Sequence, residues 1–264
     1  MRKQTRLIFN VGNTDQKCFY TGDFFDAQQN TVLRSARVIV PLLMNIVRPK
    51  SVLDVGCATG AWLKAFAENG VSRIKGLDGL YVDPAKLLIP KECFEPKDLS
   101  RPFRLPGPND LTVCLEVAEH LPYQVGQLLV RRLTESAPLV LFSAALPGQR
   151  GVHHINEQWP GYWRALFERC GFVLLDPIRP LVLADERVEW WYRQNIVLFA
   201  AEQVIQECTA LQQHRIPANA PSIQWVRAHT VERYIGVRGL CRALPGAILH
   251  ALRRRLSGAP ADCL

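Results

Sequence analysis

The stretch Ser51-Val52-Leu53-Asp54-Val55-Gly56-Cys57-Ala58-Thr59-Gly60 decides the fold. A short apolar run carries one acid, Asp54, and breaks into a turn framed by Gly56 and Gly60. The run Ala61-Trp62-Leu63-Lys64-Ala65-Phe66-Ala67-Glu68 then has helical character. Strand, tight glycine turn and helix is the arrangement with which open α/β sheets meet nucleotide-like ligands. Glycine lets the backbone turn sharply and come close, and N–H groups at the start of the helix point into the site. The spacing is D-x-G-x-x-x-G, with Ala58 where a further glycine often sits. It is not the G-x-G-x-x-G of dinucleotide sites, which disfavours a nicotinamide dehydrogenase.

The order of later segments extends this reading. Arg73-Ile74-Lys75-Gly76-Leu77-Asp78 reads as a second strand ending in an acid. Asp78 lies 18 residues after Gly60, close to the ~20-residue offset at which an acid meets ribose hydroxyls in Rossmann-like sites. Leu111-Thr112-Val113-Cys114-Leu115 reads as a fourth strand, running into Glu116-Val117-Ala118-Glu119-His120-Leu121-Pro122. Together, D-x-G-x-x-x-G, Asp78, Lys97-Asp98-Leu99 and EVAEHLP resemble the class I S-adenosylmethionine-dependent methyltransferases. The last motif is similar to the ubiquinone-type O-methyltransferases and covers, with the rest, about residues 30 to 200. The resemblance implies an α/β fold with a Rossmann-like seven-stranded sheet and helices on both faces. It also implies a cofactor set of Asp54, Gly56, Cys57, Gly60, Asp78, Gly79, Asp98, Leu99 and Glu116, with Asp98 and Leu99 beside the adenine.

Composition agrees. The chain has 264 residues, of which 48% are hydrophobic, enough for a substantial core. Its eight cysteines are scattered without a C-x-x-C pair, which argues against a disulfide scaffold and for a reducing, cytoplasmic setting. The basic start has too short an apolar part for a signal peptide. The uncharged stretch between Arg37 and Arg48 contains Pro41 and is too short to span a bilayer. Residues 1–30 read as an N-terminal arm in which Tyr20, Phe24 and Phe25 are candidates for a lid. Residues 31–202 read as the methyltransferase domain and 203–264 as a basic C-terminal extension. Within the domain, a helix is expected from Thr31 to Val47 with a break at Pro41. Helices are expected at 122–134 and 158–169, and strands at Leu139–Ser143, Phe172–Leu175 and Ile196–Phe199.

The extension holds eight arginines from Arg215 onward against Glu232 and Asp262, so it carries most of the net +8. Leu240, Leu244, Ile248, Leu252 and Leu256 recur every four residues, as on one face of a helix. Arg253-Arg254-Arg255 would either complement that helix's dipole or meet an anionic surface.

The segment after the fifth strand should overhang the acceptor, because ligands of parallel sheets lie beyond the strands' carboxyl ends. It contains His153-His154-Ile155-Asn156-Glu157. Its run through Trp159, Tyr162, Trp163 and Trp190-Trp191-Tyr192-Arg193-Gln194-Asn195 resembles a bacterial methyltransferase subgroup associated with glycan assembly. Three chemistries compete for the acids and histidines. In the first, His154 or His120 takes the proton of an acceptor hydroxyl, with Glu119 and Glu157 nearby. In the second, Glu116-x-x-Glu119-His120 and His154-x-x-Glu157 hold a divalent metal, a pattern similar to the small-RNA 3′-terminal 2′-O-methyltransferases. In the third, these residues only cap helices and line loops. The reading without metal is preferred. It makes the chain an S-adenosylmethionine-dependent O-methyltransferase with a small-molecule or glycan acceptor, in preference to nucleic acid. A non-catalytic cofactor-binding scaffold is the alternative from another class.

Overall fold

The computed structural model describes residues 22–217 without 102, 103 and 150, with side chains described from residue 29 onward. By contacts the chain divides into Met1–Ile223 and Gln224–Leu264, and only the first unit contains described residues. Tyr20 and the leucine-spaced helix of the tail therefore lie outside the described residues, and Phe24 and Phe25 fall in a helix at positions whose side chains are not described.

Short, almost wholly apolar runs form the strands, as expected for a sheet buried on both faces. They are β1 (Ser51–Val55), β2 (Arg73–Asp78), β3 (Phe94–Pro96), β4 (Leu111–Leu115), β5 (Leu139–Ser143), β6 (Phe172–Leu175) and β7 (Val197–Ala201). They make one seven-stranded sheet in the order β3-β2-β1-β4-β5-β7-β6. All neighbours are parallel except β7, which runs antiparallel to β5 and β6. This is the Rossmann-like class I methyltransferase sheet that the sequence predicts. The strand order reverses between β1 and β4, so the ligand crevice belongs at their carboxyl ends.

Side-chain alternation divides the core. Val52, Leu111, Val113 and Leu141 pack beneath α1 (Gly22–Met44) and α2 (Ala61–Glu68). Leu53, Val55, Val140 and Phe142 pack beneath α3 (Tyr123–Ser136) and α4 (Pro160–Arg169). Phe167 stacks on Phe199 at 3.8 Å within this second layer.

Three expectations need adjustment. The first helix does not break at Pro41, because proline sits in its last turn and Pro41 O still accepts from Asn45 N at 3.2 Å. Burial of Ile39, Val40 and Leu43 holds that turn against the missing N–H. The helix also starts at Gly22, ahead of residue 31. The last strand begins at Val197, because α6 (Trp190–Asn195) ends immediately before it. The five cysteines described are all free thiols. Among the described residues no helix is long and apolar enough to cross a membrane.

Candidate active site

A pocket of about 410 Å³ opens at the carboxyl ends of β1, β2 and β4, where the strand order reverses. Its floor is the turn between β1 and α2. That turn alternates positive φ at Gly56 (83°), Ala58 (47°) and Gly60 (84°). Gly56 is required there for a second reason: a Cβ would stand 2.3 Å from Val117 Cγ2. Ala58 bears the left-handed conformation at a cost of about 1–2 kcal/mol, and its N–H is fixed by donating to Asp78 Oδ2 at 2.6 Å.

Asp78 is buried and also accepts from Gly79 N at 2.6 Å and from the Tyr81 hydroxyl. Burial pushes its pKa up, and these three donors oppose that shift. It lines the pocket, as do Asp54, Gly56, Cys57, Gly79, Leu99 and Glu116. Gly60 acts one step back, as the N-cap of α2. Asp98 departs from the expected set. Its carboxylate closes its own turn, accepting from Ser100 N and Oγ and from Arg101 Nε, and it does not line the pocket. Local Asx-turn chemistry claims it, leaving Leu99 alone of that pair in the pocket lining.

Asp54 is 2% exposed and its Oδ2 has no hydrogen-bond donor. Burial, and then the Asp78 charge, push its pKa well above the usual carboxylate range. An orphaned carboxylate in an acid-lined pocket fits a ligand that brings positive charge. S-adenosylmethionine, with an ammonium and a sulfonium, is such a ligand.

The other half of the pocket follows β4. Glu116 has φ 55°, a strained conformation for a residue with a side chain. Its N–H donates to Ser143 O and Oγ. Its carboxylate accepts from Asn195 Nδ2 at 3.1 Å and Gln149 Nε2 at 2.9 Å. These amides are braced in turn. Asn195 Nδ2 and Gln194 Nε2 both donate to Gln149 Oε1, and the buried Arg179, paired with Asp176, donates to Gln194 O. Burial raises the pKa of Glu116, and the amide bonds oppose it. Sequence reasoning missed Gln149 and Asn195 as partners of Glu116, because they lie 33 and 79 residues from it.

Glu119 and His120 do not start the next helix. They sit in a short 3-10 turn, Ala118–His120, before α3. Glu119 O accepts from Ile155 N at 2.9 Å and Asn156 N at 3.0 Å, which ties the 153–157 loop onto this turn. That brings His154 beside His120, with ring centroids 4.8 Å apart and planes at 81°. One ligating atom each from Glu119, His120 and His154 lies within 4.8 Å of the others. Shifts of a few tenths of an ångström would bring these atoms to the spacing of ligands on one ion. Burial and then the His154 ring pull the His120 pKa down to about 4. Glu119 is fully buried, and its pKa is raised by that burial and by Glu116.

Glu157 does not face the acceptor. It stands behind His154, accepting from Nδ1 at 3.0 Å through Oε1 and from Gly148 N at 2.7 Å through Oε2. His153 borders the pocket at φ 57° and offers its carbonyl to His120 Nδ1 at 3.3 Å. Trp190, Trp191 and Tyr192 form part of the wall, and Trp163 is core.

Comparisons with known proteins match this geometry. Residues 26–195 match the model of a family described as a methyltransferase domain. No curated protein matches. Among solved structures, the chain is similar to a putative O-methyltransferase from Nostoc punctiforme, with TM-score 0.51 and 14% identity over 67% of this chain and 58% of that one. It is also similar to an O-methyltransferase family protein from Burkholderia thailandensis, with TM-score 0.52 and 10% identity over 73% of this chain and 63% of that one. The chain thus spans about three-fifths of the length of these two proteins, and at such identities the likeness is one of fold. The family match covers well over half of the sequence, so the chain belongs to the methyltransferase domain family.

Proposed function

We propose that this protein is an O-methyltransferase acting on a hydroxyl of a small molecule, a sugar or glycan unit among the acceptors it would suit. The observation that carries the reading is the Glu119–His120–His154 cluster, which lines the same pocket as Asp54 and Asp78. S-adenosylmethionine supplies a methyl group on a sulfonium, open to in-line attack. An oxygen nucleophile forms the new C–O bond as the S–C bond breaks, and its hydroxyl proton must leave. The work of this chain is to hold the hydroxyl in line and to receive that proton. Without a cation in the cluster, His154 is the base. Its Nδ1–H donates to Glu157, which fixes the ring and leaves Nε2 to receive the proton. Glu157 is thus a positioning residue. The flat faces of Trp190 and Trp191 in the wall suit a ring-shaped acceptor. The printed descriptions of both structural neighbours, as O-methyltransferases, accord with oxygen as the methylated atom.

The test measures S-adenosylhomocysteine release over a panel of sugar and phenolic hydroxyls, with amines as controls. Turnover on a hydroxyl is expected. His154→Ala should lower it roughly 10²-fold or more with cofactor affinity nearly unchanged. Turnover confined to amines, or a normal rate in His154→Ala, would reject the assignment.

A further inference from the structure

Glu119 poses a problem that methyl transfer alone does not solve. The residue is 0% exposed, and neither carboxylate oxygen has a hydrogen-bond donor. Its neighbour Glu116 is a second carboxylate, half-buried, whose two oxygens already accept from amides. A buried carboxylate without a partner is costly enough that it is paired, protonated or bound to a metal. Among the described residues no arginine or lysine lines the pocket, and the groups that approach Glu119 are the Glu116 carboxylate, the Ala145 backbone and the two imidazoles.

The imidazoles are arranged as ligands are. Each ring is held from behind through Nδ1, His154 by the Glu157 carboxylate and His120 by the His153 carbonyl. An outer acceptor on one ring nitrogen fixes the tautomer and turns the other nitrogen toward an ion, the recurrent second layer of metal-bound histidines. The backbone supports the same placement. The bonds from Ile155 N and Asn156 N to Glu119 O lock the loop that carries His154 to the turn that carries the other two residues.

We propose that Glu119, His120 and His154 bind one divalent first-row metal ion at the acceptor end of the pocket. The inference rests on the methyltransferase reading and makes His154 a ligand in place of a base. The three ligating atoms lie within 4.8 Å of one another. Ligands at about 2.0–2.2 Å from one ion are at most about 4.4 Å apart, so closing on it takes shifts of a few tenths of an ångström. Two imidazoles with one carboxylate favour manganese, iron, cobalt or zinc over calcium or magnesium. An ion there would polarise an acceptor oxygen and lower its pKa.

The test uses the full-length protein, stripped with a chelator and titrated with Co²⁺ while its visible absorption is followed. Binding of S-adenosylhomocysteine is measured by calorimetry on the same samples. One equivalent of Co²⁺ with ligand-field bands is expected, displaceable by Zn²⁺. Affinity should fall at least about 100-fold in Glu119→Gln and about 10-fold in Glu157→Gln, with the nucleoside still bound in both. Nucleoside binding without Co²⁺ uptake would overturn the metal site and leave the methyltransferase reading standing. Equal Co²⁺ affinity in wild type and Glu119→Gln would overturn it as adventitious binding. Loss of nucleoside binding by the wild type would overturn both readings.

Discussion

The two halves of the pocket are built by different means. On the donor side, backbone does the shaping: left-handed φ at Gly56, Ala58 and Gly60 forms the turn, and Asp78 spends its carboxylate tying that turn to β2. On the acceptor side, side chains do it: Glu119, His120 and His154 meet across a chain separation of more than thirty residues, with Glu157 behind His154, and Gln149 and Asn195 hold Glu116 beside them. The difference teaches where function is exposed to single substitutions. Damage to the first half should appear as lost folding and lost cofactor binding. Damage to the second should appear as lost turnover with the cofactor still bound.

The largest effect expected is on the donor side. In Gly56→Ala the new methyl meets Val117 Cγ2 at 2.3 Å, in a backbone with φ 83°. The left-handed conformation and the overlap should together destabilise the fold by about 2–4 kcal/mol. Affinity for S-adenosylhomocysteine should fall by more than about tenfold, because Val117 and the turn both line the pocket. Thermal unfolding and calorimetry check this. Wild-type stability and affinity in the variant would show that the turn is not held by its backbone, and the comparison would fail.

The matching test on the acceptor side is Gly151→Ala. A methyl there would meet the His154 ring, at 2.2 Å from Nε2 and 2.5 Å from Cε1. The ring must turn away from Glu157, or the loop must shift. Turnover should drop by about tenfold or more, since sub-ångström placement governs reactive geometry, with cofactor affinity preserved. Loss of cofactor binding instead would mean that the two halves are coupled through this loop. Any Co²⁺ affinity should fall in the same variant.

This division also explains what the sequence could reveal. The donor half was legible because its demands are local. A glycine turn and an acid a fixed distance on are written within one βαβ unit, and β1, β4 and β5 are short apolar runs of the kind a parallel sheet buries on both faces. Glu116, Glu119 and His120 were visible as a motif, but not their state. That Glu119 lacks a donor, and that Gln149 and Asn195 hold Glu116, depends on loops that meet only in the folded chain. Two residues misled for local reasons. Asp98 has the expected position but caps its own Ser100. Pro41 usually breaks a helix, yet it falls in a last turn whose apolar face is buried.

The smallest expected effect sharpens the donor side most finely. Asp78 was assigned to the ribose hydroxyls, but its Oδ1 already takes Gly79 N and the Tyr81 hydroxyl, and its Oδ2 takes Ala58 N. A carboxylate offers about four acceptor positions, so one remains where a ribose diol calls for two. The two N–H bonds belong to the turn and cannot be given up without unmaking it. The Tyr81 hydroxyl is on a side chain that also lines the pocket, and it is the donor that the cofactor would displace. Tyr81→Phe removes that competitor. One net hydrogen bond is worth about 0.5–1.5 kcal/mol, so S-adenosylhomocysteine should bind roughly 2- to 10-fold more tightly. Weaker binding in Tyr81→Phe would place the hydroxyl in the cofactor site as a donor in its own right. In that case the Asp78–Tyr81 pair, and not Asp78 alone, reads the ribose.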